Sequence, residues 1–447
     1  MPNYIWYCRG IIRIFTPNIR VMKREDYDEI IALIRREVVP AIGCTEPIAV
    51  ALCAAKARET LGAIPDSIEI SLSANIYKNA MGVGIPNTGM IGLPIAVALG
   101  VLVGRSEYGL EVLRDVTPEA VERAKRYIET TPIRIATEDK SGEVLYAEVV
   151  VKSGDDTAKA VIAGSHTNFV GIYRNGREVF CAASDEGCAG GGDSSELTMR
   201  KVFDFATTVP TEDIEFLWES AEMNISAAEI SFDGDYGHGL GRMLHDDTHH
   251  SIFGDTLFAK ILSYTSGACD ARMSGAMIPV MSNSGSGNQG ISATVPVVIF
   301  GRANGASHER ILRALALSHL TVIYIKQSLG RLSALCGCVV AATGSSCGIT
   351  YLMGGGYEEV TYAVKNMVAN LTGMICDGAK PSCSLKVTSG VATAVLSAVL
   401  AIRHRHTTSL EGIIDDDVDR CIHNLTDIGR KGMQQTDKLI LDIMTNK

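Results

Sequence analysis

The densest chemistry in the sequence lies between Gly373 and Val387, where Cys376 and Cys383 are separated by Asp-Gly-Ala-Lys-Pro-Ser. A turn-forming spacer of this kind lets two thiols converge on one object, and Cys336 or Cys338 could supply a third. Sulfur reacts and ligates as thiolate, a form favoured by a nearby cation and by the N–H groups at a helix start. Lys380 and a helix beginning after Pro381 could provide both. Cysteines are also common as small buried hydrophobes, and this spacing is not that of ordinary short zinc motifs. Spacing alone therefore leaves ligation and core packing both open.

Cys44, in Ala41-Ile-Gly-Cys-Thr-Glu-Pro47, would sit just before a helix with Pro47 in its first turn. That position lowers a thiol pKa and suits a nucleophile, a base or a ligand; a packed loop cysteine has the same appearance. Met281-Ser-Asn-Ser-Gly-Ser-Gly-Asn-Gln-Gly290 enters a helix near Ile291 and would offer successive amides to an anion such as a carboxylate. No Walker lysine follows it. Lys78 and Asn79 precede Gly82-Val-Gly84, and His166, Thr167 and Asn168 lie at a strand end. Neither stretch is a nucleotide fingerprint, but both could hold a small polar substrate, or serve as ordinary turns. His245-Asp-Asp-Thr-His-His250 invites a metal assignment, but its polar flanks favour a solvated loop.

Periodicity supplies the elements that must carry these groups. A helix is expected from Glu25 to Val39 and another from Ile48 to Leu61. Between about Ile64 and Ala183, alternating runs such as Ser67–Ser73 and Glu143–Val151, with hairpin signals at Lys140-Ser-Gly, Ser153-Gly-Asp and Asn175-Gly, predict strands. Helices at Ile91–Val103 and Thr117–Thr130 interleave. After a linker-like Ala189–Asp193 the chain reads as helices over Ser194–Thr207, Thr211–Met223, Gly254–Met277, Gln289–Phe300, Ser307–Leu329, Ser333–Thr343, Tyr357–Thr372, Ser384–His404 and Leu410–Lys447, with interruptions. Gly344-Ser-Ser-Cys-Gly348 puts small residues where helices must approach closely.

The expected fold class is α+β: a predominantly helical domain carrying a mixed α+β domain with a largely antiparallel sheet. The expected divisions are an N-terminal extension (1–21), N-terminal helices packing with the helical domain (22–63), the α+β domain (64–188) and a helical catalytic domain (189–447). At 447 residues, 46% hydrophobic and 21% charged, the chain is long enough for two or three well-buried units. A net charge of -10 argues against nucleic acid or an anionic membrane as partner. No run reaches the roughly 18 consecutive apolar residues of a membrane span. Twelve cysteines in a chain this long point to reduced thiols and a cytoplasmic setting, not to a disulfide scaffold.

Four motifs then coincide, in order: Pro-Ala-Ile-Gly-Cys44-Thr-Glu-Pro, Ser-Asn-Ser-Gly-Ser-Gly-Asn-Gln-Gly, Ala-Leu-Cys336-Gly-Cys, and Met-Ile-Cys376-Asp-Gly-Ala-Lys-Pro-Ser-Cys383-Ser-Leu-Lys. Together they resemble the L-cysteine desulfidase family, related to the catalytic subunit of iron-sulfur L-serine dehydratases, over essentially everything after Met22. The resemblance implies a serine-dehydratase-α-like helical domain and a 4Fe-4S cluster on Cys336, Cys376 and Cys383, with one iron lacking a protein ligand. Cys338 is the rival for the first ligand. It further implies β-elimination from L-cysteine to hydrogen sulfide, pyruvate and ammonia, with Cys44 in acid–base work. A small amino acid is then the expected partner, held first by Ser282, Asn283, Ser284, Gly285 and Asn288, and next by Lys78, Asn79, His166 and Asn168; a homodimer is compatible with this reading. L-Serine dehydration is the nearest alternative. A non-catalytic iron-sulfur or zinc redox sensor, closed by a fourth cysteine, is the alternative of another class.

Overall fold

The computed structural model describes residues 22–137, 143–181, 197–246, 252–330 and 333–446. The extension at 1–21, the Lys140 hairpin signal, the Ala189–Asp193 linker and His249 and His250 lie outside the described residues. Helix α1 (Arg24–Glu37) buries Tyr27, Ile30, Leu33 and Ile34, and its acidic first turn and basic last turn complement the helix dipole. Val38 ends it in extended conformation. Strand β1 (Pro40–Ile42) follows, its hydrogen-bonding partner coming from far along the chain. Helix α2 (Thr45–Leu61) is apolar on nearly all sides and is closed by Gly62 at φ 80°, the left-handed stop that glycine adopts without strain.

The sheet is built from β2 (Ser67–Leu72), β3 (Ile133–Thr137), β4 (Tyr146–Ser153), β5 (Asp156–Ala163), β6 (Phe169–Arg174) and β7 (Arg177–Cys181), in the order β3-β2-β4-β5-β6-β7. Only the β2–β3 pair is parallel. Its crossover carries α3 (Ala74–Ala80), α4 (Leu93–Leu102) and α5 (Pro118–Thr130). The hairpins turn at Gly154 and at Asn175-Gly176, all with positive φ, as the sequence signals require. Along β4, Ala147, Val149 and Val151 are buried while the alternate residues are not. The buried face packs on α2 and α4 in one core. Residues 22–63 therefore divide: α1 joins the helical body, whereas α2 packs mainly on the sheet, with only its entrance at Cys44 in the helical core.

The helical body continues through α6 (Met199–Thr208), α7 (Thr211–Ile214), α8 (Trp218–Asp233), α9 (Leu240–Asp246) and α10 (Leu257–Met273) to strand β8 (Pro279–Met281). Strand β8 pairs antiparallel with β1, Ala41 opposite Val280. There follow α11 (Gly287–Ala303), α12 (His308–Leu329), α13 (Gly337–Leu352), α14 (Tyr357–Leu371), α15 (Cys383–Ile402), α16 (Val418–Asp427) and α17 (Gln434–Thr445). Helix α13 runs well past Thr343, because its Gly344 and Gly348 serve packing and do not break it. A Cβ at Gly344 would lie 2.4 Å from the Ser318 carbonyl oxygen of α12, so only glycine permits this approach. Helix α15 is, among the described residues, long and apolar enough to cross a membrane by length and composition, although Ser384, Lys386, Thr388 and Ser389 deny it an unbroken apolar run. It buries Val387, Val391, Ala394 and Ala398 within the body.

Candidate functional site

At the entrance to α2, Cys44 occupies the N-cap position but its thiol caps nothing. Instead Sγ donates to Glu46 Oε2 at 3.0 Å. Glu46 also accepts from Thr45 Oγ1 at 3.0 Å and, on Oε1, from Asn79 Nδ2 at 3.1 Å. Burial pushes Glu46 up, but His166, the Cys44 hydrogen bond and Arg272 outweigh it and hold the carboxyl below its ordinary range. Cys44 moves the other way: burial and the Glu46 charge raise its thiol well above the ordinary value, with Arg272 opposing. The expected lowering by the helix end is thus overridden, since the thiol is dry and faces an anion.

The Ser282–Gly290 loop forms as an irregular turn at the start of α11, but most of its polar groups serve the fold. Ser284 and Gly285 have φ values of 48° and 79°, and Asn283 and Ser286 exchange backbone hydrogen bonds of 3.1 and 3.0 Å. The Ser282 and Ser284 amides donate to Val39 and Glu37 carbonyls, and Ser282 Oγ donates to Val39 O at 2.6 Å. The Gly285 carbonyl accepts from Thr45 Oγ1 at 2.8 Å, tying the turn to Cys44's neighbour. Asn283 Nδ2 donates to His319 Nδ1 at 3.0 Å and Asn283 Oδ1 accepts from Ser284 Oγ at 2.8 Å. These amides are not free for an anion, whereas the first turn of α11, Gly287–Gln289, still presents amides that no carbonyl of the helix can take. Asn288 faces the site, accepting from Arg272 Nη1 at 2.9 Å.

Lys78 and Asn79 lie on α3, a short helix in place of the expected loop, and diverge: Asn79 meets Glu46, while Lys78 pairs with Asp437 of α17. Lys78 is 1% exposed and its charge reaches Cys376. His166 is buried within electrostatic reach of Glu46. Asn168 is exposed and closes its own turn by donating to Ala163 O at 3.0 Å. His245 is stacked on Phe232, with centroids 3.9 Å apart, at the exposed end of α9.

The cysteine stretch is assembled by a single bridge. Leu335 pairs antiparallel with Ile375, Cys336 N donates to Met374 O at 2.9 Å, and Cys376 N donates to Ala334 O at 2.7 Å. Cys336 and Cys376 are thereby held on adjacent strands, Cys336 at the N-cap of α13 and Cys383 in the first turn of α15. The Cys336 thiol is lowered to about 7, chiefly by a hydrogen bond from Cys338, whose own thiol is raised well above the ordinary value by the same contact. Burial raises Cys376 to about 11 and also raises Cys383. Asp377 pairs with Lys380 at 2.6 Å and with Lys386, whose Nζ also donates to Ile375 O at 2.8 Å. Among the described residues no three His, Cys, Asp or Glu side chains are gathered as a set for one metal ion. Cys336, Cys376 and Cys383 nonetheless feel one another's charge, and three thiols beside two lysines are a donor set suited to soft iron-sulfur chemistry.

Helix α10 links the two groups. Cys269 interacts electrostatically with Cys383 and Cys336, Asp270 is bonded by Ser384 and by the Gly241 amide (3.0 Å), and Arg272 faces Cys44 and Glu46. In the sequence Glu46 stands only within the Cys44 motif, and Cys269, Asp270 and Arg272 only within the helix expected over Gly254–Met277. Their available signal was two charges and a thiol inside an otherwise small and apolar helix segment, which burial would have to satisfy.

Residues 107–442 match the family model described as serine dehydratase alpha chain. A UPF0597 protein of Bacteroides fragilis is 63% identical over 426 residues, covering 95% of this chain and 100% of that protein. UPF0597 proteins of Parabacteroides distasonis and Oleidesulfovibrio alaskensis are 55% and 44% identical over 425 and 427 residues, covering 94% and 95% of this chain and 98% and 100% of those proteins.

Proposed function

The chain belongs to the serine dehydratase alpha chain family, a lyase family, and from that premise we propose that it catalyses β-elimination on L-cysteine, releasing sulfide, pyruvate and ammonia. The observation that carries this reading is the buried Cys44–Glu46 pair, linked through α10 to a cluster of thiols. Elimination needs a base at Cα and help for the leaving group at Cβ. Cys44 Sγ takes the Cα proton as its own proton passes to Glu46 Oε2, so no free thiolate need exist beforehand, in keeping with its raised pKa. The Cα–H electrons form the Cα–Cβ double bond, and the Cβ–S electrons leave with sulfur. The resulting 2-aminoacrylate hydrolyses to pyruvate and ammonia without net oxidation.

Cys336, Cys376 and Cys383 would hold an iron-sulfur cluster, which when bound would supply Lewis-acid assistance to the departing sulfur. Cys336 is preferred to Cys338 because the Leu335–Ile375 bridge sets it beside Cys376. Asp377, Lys380 and Lys386 fix the loop that presents these thiols. Asn79 keeps Glu46 oriented toward Cys44. L-Serine dehydration is the second reading, favoured by the family description. The test is anaerobic reconstitution with iron and sulfide, followed by sulfide and pyruvate release from L-cysteine against pyruvate release from L-serine. Faster turnover of L-cysteine supports the first reading and of L-serine the second; a loaded protein that turns over neither sinks both.

A further inference from the structure

Arg272 is 2% exposed, yet among the described residues no carboxylate lies within ion-pair distance of it. Nη1 donates to Asn288 Oδ1 at 2.9 Å, while Nε has no partner. A Cβ placed on Gly287 would lie 2.2 Å from Arg272 Nε and 2.7 Å from Cζ, so the guanidinium rests directly on the first turn of α11. That turn carries the positive end of a 17-residue helix and amides without helical acceptors. Two positive features are thus pressed together in a dry place, an arrangement that costs free energy unless an anion joins them. Glu46 does not fill this role at contact distance, since its oxygens already accept from Cys44, Thr45 and Asn79.

The opposite charge preference appears alongside. Asn79 Oδ1 and Gln289 Oε1 are buried acceptors without donors, on residues 7% and 3% exposed. Asn79 adjoins Glu46, and Gln289 lies against Gly337, the residue after Cys336: a Cβ there would be 3.0 Å from Gln289 Cδ. Unused donors at Arg272 and the α11 turn, and unused acceptors at Asn79 and Gln289, complement a zwitterion.

We propose that Arg272, steered by Asn288 and backed by the first turn of α11, receives the carboxylate of an α-amino acid whose ammonium group is taken by Asn79 and Gln289. The proposal rests on the amino-acid lyase reading and names the residues that recognise its substrate class. Guanidinium suits this task because its fork binds a carboxylate through two donors at once. Neither the family resemblance nor the glycine-serine loop pointed to this residue.

L-Alanine has the same zwitterion without a leaving group, so it reports recognition apart from chemistry. Calorimetric titration of the reconstituted protein with L-alanine, L-alaninamide and propionate is the test. L-Alanine is expected to bind roughly 30-fold or more tightly than either analogue, the cost of leaving one partner of a buried charge pair unmatched. Arg272→Gln should lose L-alanine to a similar degree and no longer distinguish the acid from the amide. Arg272→Lys, which keeps a buried cation, should fall between, and it decides the matter if the Gln variant does not fold. Wild-type binding that ignores the carboxylate, no binding at all, or wild-type affinity in the Lys variant would overturn the proposal. Specific L-alanine binding without turnover of cysteine or serine would sink the lyase reading and leave Arg272 as an amino-acid receptor.

Discussion

The two halves of the site solve opposite problems. Cys44, Glu46, Asn79 and Arg272 project from helices or their ends, all are nearly inaccessible, and most of their polar atoms are engaged. Of the thiols, Cys376 lies on a loop pinned by one two-residue bridge and Cys336 and Cys383 flank it at the starts of α13 and α15, with Cys376 and Cys383 partly exposed and a partly exposed Asp377 between two lysines. The proposed proton transfer needs fixed distances and a dry setting, which regular structure supplies. The proposed ligation needs sulfur that something outside can reach, which suits partly exposed thiols on a loop and at a helix start. The contrast teaches that the halves can be broken separately.

The largest effect is expected from Cys376→Ser or Cys383→Ser. Either should abolish retention of iron and sulfide and lower turnover on the order of 10³-fold, the worth of several kcal/mol of metal assistance. Iron and sulfide analysis with visible absorbance checks this, and Cys338→Ser should retain the cluster. Next comes Cys44→Ser, which should cost roughly 10²- to 10³-fold in kcat with the absorbance intact. A lost spectrum would move Cys44 to the ligand side and erase the contrast.

Glu46→Gln should cost less, roughly 10- to 100-fold, and should change the pH–rate profile. Because the folded carboxyl is held below its ordinary range, the wild-type rate should fall only at low pH as Glu46 gains a proton. That acid limb should be absent in the variant.

The smallest effect on turnover, felt instead in stability, concerns the support behind the α11 turn. His319, buried between Asn283 and Thr294 Oγ1, is lowered by burial to about 4 from an ordinary 6.5. The unfolded chain therefore binds the extra proton first as pH falls. Stability is full above about 6.5 and declines toward pH 4, by up to about 3 kcal/mol. Urea midpoints across that window test it, and His319→Gln should flatten the slope.

Helix and strand placement was legible because burial imposes its period on residue order, as in α12 and β4. The cysteine stretch was legible because thiols, lysines and turn formers crowd together. The α11 loop was legible as a loop, yet not in what its amides do, since the carbonyls that occupy them belong to Glu37 and Val39. Strand β1 is three residues opened by a proline, and nothing local marks it. Lys78 and Asn79 looked like one unit, but helical rotation sends neighbouring side chains apart. Glu46 and Arg272 sat in helices as ordinary charges, and only burial without a solvent outlet gave them meaning.

The Lys78–Asp437 pair joins residues 359 positions apart, and Gly378 beside Cys376 packs under the Lys78 carbonyl, where a Cβ would come within 2.4 Å. During synthesis the α3 lysine emerges long before α17, and domains consolidate from the N-terminal side. Until α17 arrives, that lysine lacks its counter-charge and the thiol loop lacks part of its cover. The docking of α17 therefore supplies both at once, Asp437 to the lysine and Met444 against Gly378.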